Sequence, residues 1–215
     1  MIEVVVFDLD GVIVDTEQVW DEVREELVHE GGGRWSPSAQ AAMMGMSSTE
    51  WSRYMRDELG LADSPEQIND EVVRRMLVRY RKNLPLIDGA VAAVERLAAE
   101  LRLAVASSSN RPLIEAVLEQ AGIAERFETT VSSEEVARGK PAPDVYLEAA
   151  RRLGVEATRC TAVEDSSNGL RAAAAAGMRV VALPNRRYPP EPDALALADV
   201  VLGSLDELSR ELVGA

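Results

Sequence analysis

The stretch "EVVVFDLDGVIVDTE" (residues 3–17) decides how the rest of the chain is interpreted. It begins with an apolar run at residues 3–7 whose β-branched side chains are typical of a buried strand. Asp8 and Asp10 follow this run directly, and Gly11 allows the backbone to bend. A D-x-D-G motif alone is as compatible with a polar turn as with a catalytic site, because short motifs match by chance. Other segments have to decide between the two.

Further short apolar runs predict that the first strand has several neighbours. They lie at residues 103–107, 129–131, 160–163, 180–183 and 199–202. Near-continuous apolar strands of this length suit a parallel sheet that is covered on both faces. Helical stripes separate most of them, such as Val91, Val94, Leu97 and Leu101. The alternation predicts an α/β fold with a Rossmann-like, doubly wound parallel sheet. Residues 184–199 are predicted to be an irregular loop.

The distance between the first two strands predicts an insertion. A crossover needs a dozen or so residues, and a helix near residues 89–100 can provide it. Two capping-box patterns lie in the remaining segment, "SSTE" at 47–50 and "SPEQ" at 64–67. We therefore expect an inserted all-α cap domain at residues 16–85 and a core formed by residues 1–15 and 86–215.

Composition excludes several classes of partner. A net charge of −14 on 215 residues disfavours a nucleic-acid backbone or an anionic membrane surface. The N-terminal residues lack a basic leader, and no apolar run is long enough for a membrane helix. Cys160 is the single cysteine, so no internal disulfide can form. We expect a cytoplasmic protein, monomeric or weakly homo-oligomeric, without a nucleic-acid or membrane partner.

A second acidic pair in the sequence indicates a metal site. Glu164 and Asp165 also follow an apolar run, so parallel pairing would bring up to four carboxylates together. Two unit charges 4 Å apart repel by about 4 kcal/mol at an effective dielectric constant of 20. Such a group requires proton uptake or a cation, and carboxylate oxygens suit Mg²⁺. The predicted metal site consists of Asp8, Asp10, Glu164 and Asp165.

Two segments predict an anion site beside this metal. "ASSSNRP" at 106–112 joins a strand to a helix, where hydroxyls and free backbone N–H groups bind anions as well as cap the helix. Ser107 lies nearest the end of the strand. Lys140, in "RGKPAPD", precedes another helix. A lone lysine is usually solvated, but here it would neutralise a phosphoryl group.

These residues together resemble a known family. The Asp8–Asp10 motif, Ser107, Lys140 and the Glu164–Asp165 pair follow the order and spacing of the four motifs of the haloacid dehalogenase-like (HAD) superfamily. The segments "FDLDGVIVDTE", "GKPAPD" and "VEDSSNGLRAAAAAGM" resemble its phosphatase and β-phosphoglucomutase branch. The predicted insertion is similar to that branch's C1 helical cap, so the resemblance covers nearly the whole chain.

The resemblance implies roles for the two aspartates of the first motif. Asp8 would attack phosphorus and form an aspartyl-phosphate. Asp10 would protonate the leaving oxygen and then activate water, and its backbone carbonyl would bind Mg²⁺.

The resemblance also implies roles for the later motifs. Ser107 and Lys140 would hold phosphoryl oxygens, with Lys140 also paired to Asp8. Asp165 would coordinate the metal directly. Glu164 would either coordinate the metal or contact the groups that do.

The implied reaction is Mg²⁺-dependent hydrolysis of a small phosphorylated metabolite, a sugar or polyol phosphate. Candidate substrate contacts are Glu17, Gly45, Ser108, Ser109 and Asn110, with Met46 and Trp51 nearby. Their types predict a partly apolar pocket with little provision for a second phosphate group. Glu17 is equally compatible with an ordinary acidic residue in the first turn of a helix.

A phosphosugar mutase and a non-catalytic phosphate sensor are the alternatives. The mutase pattern has a histidine where this chain has Trp20, and a cap arginine where it has Ser48. Arg53 or Arg56 could replace that arginine. No motif residue is missing, which favours an enzyme over a sensor.

Overall fold

The computed structural model describes residues 1–36, 38–43 and 46–214. In this part of the chain the strands are β1 (Val4–Phe7), β2 (Arg102–Ser107), β3 (Thr129–Ser132), β4 (Cys160–Glu164), β5 (Arg179–Ala182) and β6 (Val200–Val201). The α-helices are α1 (Glu17–Glu30), α2 (Ala39–Met43), α3 (Ser48–Asp57), α4 (Pro65–Lys82), α5 (Ala90–Ala98), α6 (Arg111–Gln120), α7 (Asp144–Leu153), α8 (Ser167–Ala175), α9 (Pro192–Leu195) and α10 (Arg210–Gly214). None of these described helices is both long and apolar enough to cross a membrane.

The six strands form one parallel sheet in the order β3-β2-β1-β4-β5-β6. This confirms the predicted Rossmann-like fold, and each predicted strand lies within two residues of its observed bounds. β1 lies between β2 and β4, with Phe7 in register with Val105 and Val163. The chain reverses its direction of travel across the sheet at β1. A crevice at the carboxyl ends of β1 and β4 is therefore the expected ligand site.

Alternate side chains of β1 supply two hydrophobic cores, one on each face of the sheet. Val5 and Phe7 belong to a core that includes residues of α5 and α6. Val4 and Val6 belong to the other, with residues of α7 and α8. Both faces are thus covered, which explains why the strands are apolar throughout instead of alternating with polar residues.

Helices α1 to α4 form the segment between β1 and α5, which we call the helical segment. Both predicted capping boxes are present, at Ser47 with Glu50 and at Ser64 with Gln67. The core of the segment includes Trp51, which is buried with residues of α1 and α4. Helices α3 and α4 begin at these capping boxes, as the sequence predicts, whereas no pattern predicted α2. The division into a core domain and a cap domain at residues 16–85 stays a prediction.

The segment after β5 differs from its prediction as an irregular loop. Helix α9 interrupts it, because Pro192 occupies the start of a helix, where its fixed φ and missing N–H are tolerated. Before that helix, Asn185 Oδ1 accepts hydrogen bonds from the backbone N–H groups of Arg187 and Tyr188. The amide nitrogen of Asn185 donates to Asp165 Oδ2 at 3.4 Å, so this turn lies beside the carboxyl end of β4.

Candidate active site

Three buried carboxylates meet at the carboxyl ends of β1 and β4. Asp8 follows β1 and donates its backbone N–H to the carbonyl of Val163 at 3.0 Å. Glu164 ends β4, and Asp165 follows it. One oxygen from each of Asp8, Glu164 and Asp165 lies within 4.8 Å of the others. Parallel register therefore brings together acids that are more than 150 residues apart in the chain.

Two glycines make room for these carboxylates. Gly11 has a φ of +81°, and a Cβ at this position would overlap the carboxylate of Asp165. A Cβ at Gly169, in the first turn of α8, would likewise overlap the carboxylate of Glu164. Gly11 therefore has two functions in the D-x-D-G motif: it adopts a conformation that disfavours other residues, and it leaves space for Asp165.

Lys140 lies between two of the acids. Its Nζ donates to Asp8 Oδ1 at 2.8 Å and to Glu164 Oε1 at 2.6 Å, and the side chain is almost fully buried. Tyr146, from the first turn of α7, donates its hydroxyl to the same Glu164 oxygen at 2.7 Å. The lysine is thus fixed beside Asp8, where the sequence predicts a positive charge.

The second oxygen of Glu164 is also engaged. Oε2 accepts from the backbone N–H of Asp165 at 3.1 Å and from the backbone N–H and hydroxyl of Ser166 at 3.3 and 3.2 Å. Both carboxylate oxygens are therefore hydrogen-bonded within the protein. This arrangement favours the indirect role that the sequence left open for Glu164, with Lys140 as the group it holds.

Burial and crowding perturb the acid–base properties of the cluster. Burial raises the pKa of Asp8 to about 8; Lys140 opposes the shift, and Glu164 and Asp10 increase it. Burial and then the charges of Glu164 and Asp8 raise the pKa of Asp165 well above its usual range. Burial alone would lower the pKa of Lys140, but Asp8 and Glu164 outweigh it and raise that pKa. A divalent cation would relieve this repulsion, so the donor set fits one.

Asp10 is held apart from the three-carboxylate group. Its Oδ1 accepts from the Thr16 hydroxyl and from Trp20 Nε1 at 3.2 Å, and its Oδ2 accepts from the Ser109 hydroxyl at 2.5 Å. Among the described residues, the carboxylates that lie within 4.8 Å of one another are those of Asp8, Glu164 and Asp165, without Asp10. Its participation in metal binding through the backbone carbonyl stays a prediction.

The segment after β2 presents its serines unequally. Ser107 is fully buried, and its hydroxyl accepts from the backbone N–H of Ser109 at 3.0 Å. Ser108 and Ser109 line the cavity described below, whereas Ser107 is not among its described lining residues. The role of Ser107 in holding phosphoryl oxygens stays a prediction.

Asn110 joins the sheet to the helical segment. Its amide nitrogen donates to Asn69 Oδ1 at 2.9 Å and to Glu134 Oε1 at 2.7 Å. Ser48 of α3 donates to the same Glu134 oxygen at 3.1 Å. Substrate contact by Asn110 stays a prediction, and the other predicted contact, Gly45, lies outside the described residues.

A cavity of about 50 Å³ opens beside the acids. The sheet side contributes Asp8, Asp10, Ser108, Ser109, Lys140, Asp165 and Ser166, and the helical segment contributes Glu17, Trp20, Arg24, Met43, Met46 and Trp51. One water needs roughly 10–15 Å³ by this measure, so the cavity has room for a phosphoryl group and little more. We expect the helical segment to move away from the sheet when a larger molecule enters.

Sequence reasoning missed several residues of this site, among them one arginine and two amide side chains. Arg24 lines the cavity, and its Nη1 donates to Gln40 Oε1 at 3.3 Å. Asn185 donates its amide N–H to Asp165 Oδ2 at 3.4 Å. The signal for Arg24 was present, since it interrupts the apolar stripe of α1 four residues after Trp20. No pattern marked Gln40 or Asn185, because tertiary packing alone brings them to the site.

Comparison with known proteins identifies similar sequences and structures. Residues 2–177 match the family model described as haloacid dehalogenase-like hydrolase. Hexitol phosphatase B of Escherichia coli K12 is 32% identical over 216 residues, covering 97% of this chain and 96% of that protein. Fructose-1-phosphate phosphatase YqaB of the same organism is 33% identical over 180 residues, covering 82% and 93%. CbbY from Rhodobacter sphaeroides, crystallised in complex with phosphate, has a TM-score of 0.88 and 29% identity, covering 100% of both chains.

Proposed function

The chain belongs to the haloacid dehalogenase-like hydrolases, and from that premise we propose that it is a Mg²⁺-dependent phosphatase acting on a small sugar or polyol phosphate. The observation that carries this proposal is the buried Asp8 carboxylate, paired with Lys140 and facing a cavity of phosphoryl size. Relatives named for hexitol and fructose 1-phosphate hydrolysis support the substrate class.

Asp8 is the proposed nucleophile. Its carboxylate oxygen forms a bond to phosphorus while the bond to the ester oxygen breaks, and that oxygen leaves with a proton from Asp10. Water then attacks the phosphorus of the aspartyl-phosphate, Asp10 takes a proton from it, and inorganic phosphate leaves as the Asp8 carboxylate is restored. Lys140 balances the charge of the phosphoryl oxygens and favours the ionised form of Asp8.

The contacts of Asp10 are compatible with both proton transfers. Trp20 can only donate a hydrogen bond, so Oδ1 stays an acceptor and a proton on this carboxyl belongs on Oδ2. Oδ2 faces the hydroxyl of Ser109, which can either donate or accept. The same neighbours therefore accommodate the protonated and the ionised carboxyl.

The residues that would hold Mg²⁺ are Asp8, Asp165 and the backbone carbonyl of Asp10. When bound, the ion supplies neutralisation of phosphoryl charge, on which phosphoryl transfer depends. Asn185 donates to Asp165 and would keep that carboxylate oriented.

The geometry gives the mutase alternative less support. Trp20 stands where the mutase pattern has a histidine, and an indole cannot act as a general acid or base near neutral pH. Arg53 and Arg56 are exposed and are not among the described residues of the cavity wall.

Phosphate release from a panel of sugar and polyol monophosphates tests the proposal. We expect turnover with Mg²⁺, loss of turnover in EDTA, and no turnover by Asp8→Asn with an unchanged circular dichroism spectrum. Asp15→Asn is the matched control, because Asp15 is exposed in the same segment. Isomerised sugar phosphate without released phosphate would indicate a mutase. Substantial turnover by Asp8→Asn would contradict the assigned nucleophile.

A further inference from the structure

Arg24 is a buried cation in the wall of the cavity that the reaction does not use. It is only 5% exposed, and its guanidinium lies 4.4 Å from the ring centre of Trp20 and 4.8 Å from that of Trp51. Its buried Nε–H has no hydrogen-bond partner among the described residues. A buried donor without an acceptor costs about 1–3 kcal/mol, so an acceptor supplied by a ligand would be favourable there.

Gln40 connects this arginine to an acid in the same wall. Arg24 Nη1 donates to Gln40 Oε1 at 3.3 Å, and Gln40 Nε2 donates to Glu17 Oε2 at 2.8 Å. Because the amide has one acceptor end and one donor end, these two bonds fix its orientation. The wall therefore holds a donor, Arg24, and an acceptor, Glu17, at positions set by one buried side chain.

We propose that Arg24 and Glu17, spaced by Gln40, form a polyol subsite that determines substrate specificity. Arg24 donates from Nε to one substrate hydroxyl oxygen, and Glu17 accepts from a neighbouring hydroxyl. This proposal rests on the proposed phosphatase function, because the subsite would bind the polyol part of the phosphate ester.

The charges around Arg24 favour a neutral hydroxyl pair over a second anionic group. Burial lowers the pKa of the Arg24 guanidinium to about 10, and the nearby carboxylates of Glu17, Asp10 and Asp21 oppose that shift. Burial and then the charge of Asp10 already raise the pKa of Glu17 to about 7, so a second phosphate beside this carboxyl would be unfavourable. A diol satisfies both residues without adding charge, as hydroxyls both donate and accept.

The test compares three substrates with wild type, Arg24→Gln and Arg24→Met. Sorbitol 6-phosphate carries neighbouring hydroxyls, p-nitrophenyl phosphate carries none, and fructose 1,6-bisphosphate carries a second anion. A lost charged hydrogen bond corresponds to about a 10- to 100-fold lower kcat/KM for sorbitol 6-phosphate. The loss for p-nitrophenyl phosphate should be at least about tenfold smaller. Arg74→Gln is the control, because Arg74 is an exposed arginine of α4 paired with Glu71 of the same helix, and its loss should leave all three rates unchanged.

A binding measurement without turnover tests whether Arg24 contributes to substrate affinity independently of catalysis. In an Asp8→Asn background, sorbitol 6-phosphate binding is followed through the fluorescence of the tryptophans beside Arg24, and we expect Arg24→Gln to weaken it by the same factor. Equal losses for the polyol and aryl esters would overturn the subsite, as would a loss confined to the bisphosphate. If wild type hydrolysed no monoester, the proposed function would fail, whereas normal wild-type turnover with an unselective Arg24→Gln would refute the subsite alone.

Discussion

Lys140 Nζ lies 2.6 Å from Glu164 Oε1, closer than the 2.8 Å that separates it from Asp8 Oδ1. Glu164 has no exposed surface, and its other oxygen accepts hydrogen bonds from Asp165 and Ser166. We propose that Glu164 holds Lys140 in place beside Asp8, the proposed nucleophile. Metal coordination would have to compete with these bonds.

Replacing Glu164 with glutamine should therefore separate lysine positioning from metal binding. We expect kcat to fall by about 10²-fold, the scale of losing one preorganised charge-stabilising group. Isothermal titration should show Mg²⁺ affinity changed only a few-fold, in contrast to Asp165→Asn, which should abolish binding. Tyr146→Phe removes one hydrogen bond to the same oxygen and serves as the milder control. Loss of Mg²⁺ binding in Glu164→Gln would identify Glu164 as a direct ligand.

The Gly11→Ala substitution should disrupt the metal site by steric overlap with Asp165. The matched control is Gly154→Ala, because Gly154 also has a positive φ, +67°, but a methyl group there would meet no atom of the described residues within 4 Å. Both variants bear backbone strain of about 1–2 kcal/mol, measurable by urea unfolding. Only Gly11→Ala should lose Mg²⁺ binding and turnover. Equal Mg²⁺ binding and turnover in the two variants would contradict the steric role of Gly11 and leave backbone strain as the only effect of the substitution.

Much of the fold could be predicted because it depends on local patterns. The apolar runs gave the strands, and capping boxes such as the one at Ser64 gave the starts of helices. The acids Asp8 and Asp165 could be placed together because parallel strands end at the same edge of a sheet.

The wall contributed by the helical segment could not be predicted in the same way. Gln40 reaches the site only because α2 packs near α1, and no residue spacing encodes that approach. Asn110 is a second case: its position after β2 predicts substrate contact, which stays a prediction, but no pattern indicated that its amide nitrogen donates to Asn69 and Glu134. Side-chain partners across a tertiary contact were the information that the sequence lacked.

Stabilisation by Mg²⁺ should increase with pH. The pKa of Asp8 is about 8 in the folded chain against an ordinary value of 3.8, and the pKa of Asp165 is also raised. The protonated carboxyls thus favour folding below pH 3.8, and this stability is lost as the pH rises toward 8. A cation offsets that loss, so thermal melts with and without Mg²⁺ should differ more at about pH 8 than at about pH 6. Asp165→Asn should remove most of this pH dependence. An ion-induced shift that is the same at both pH values would contradict the assignment.

The hydrogen bonds of Asn110 predict that it stabilises the contact between the helical segment and the sheet seen in this structure. Asn69→Ala removes a partner of Asn110 that is not among the described residues of the cavity wall. If Asn110 acts through this contact, Asn110→Ala and Asn69→Ala should each lower the free energy of unfolding by about 1 kcal/mol. The double variant should then lose less than the sum of the two, because both single changes break the same bond.

Steady-state kinetics of the same variants distinguish this role from substrate binding. Weakening the contact between the helical segment and the sheet should change KM for sorbitol 6-phosphate in the same direction and to a similar extent in both single variants, since each removes the same hydrogen bond. Ser38→Ala, at an exposed position before α2, supplies the unaffected reference. A KM that rises in Asn110→Ala while Asn69→Ala matches wild type would instead place the Asn110 side chain on the substrate.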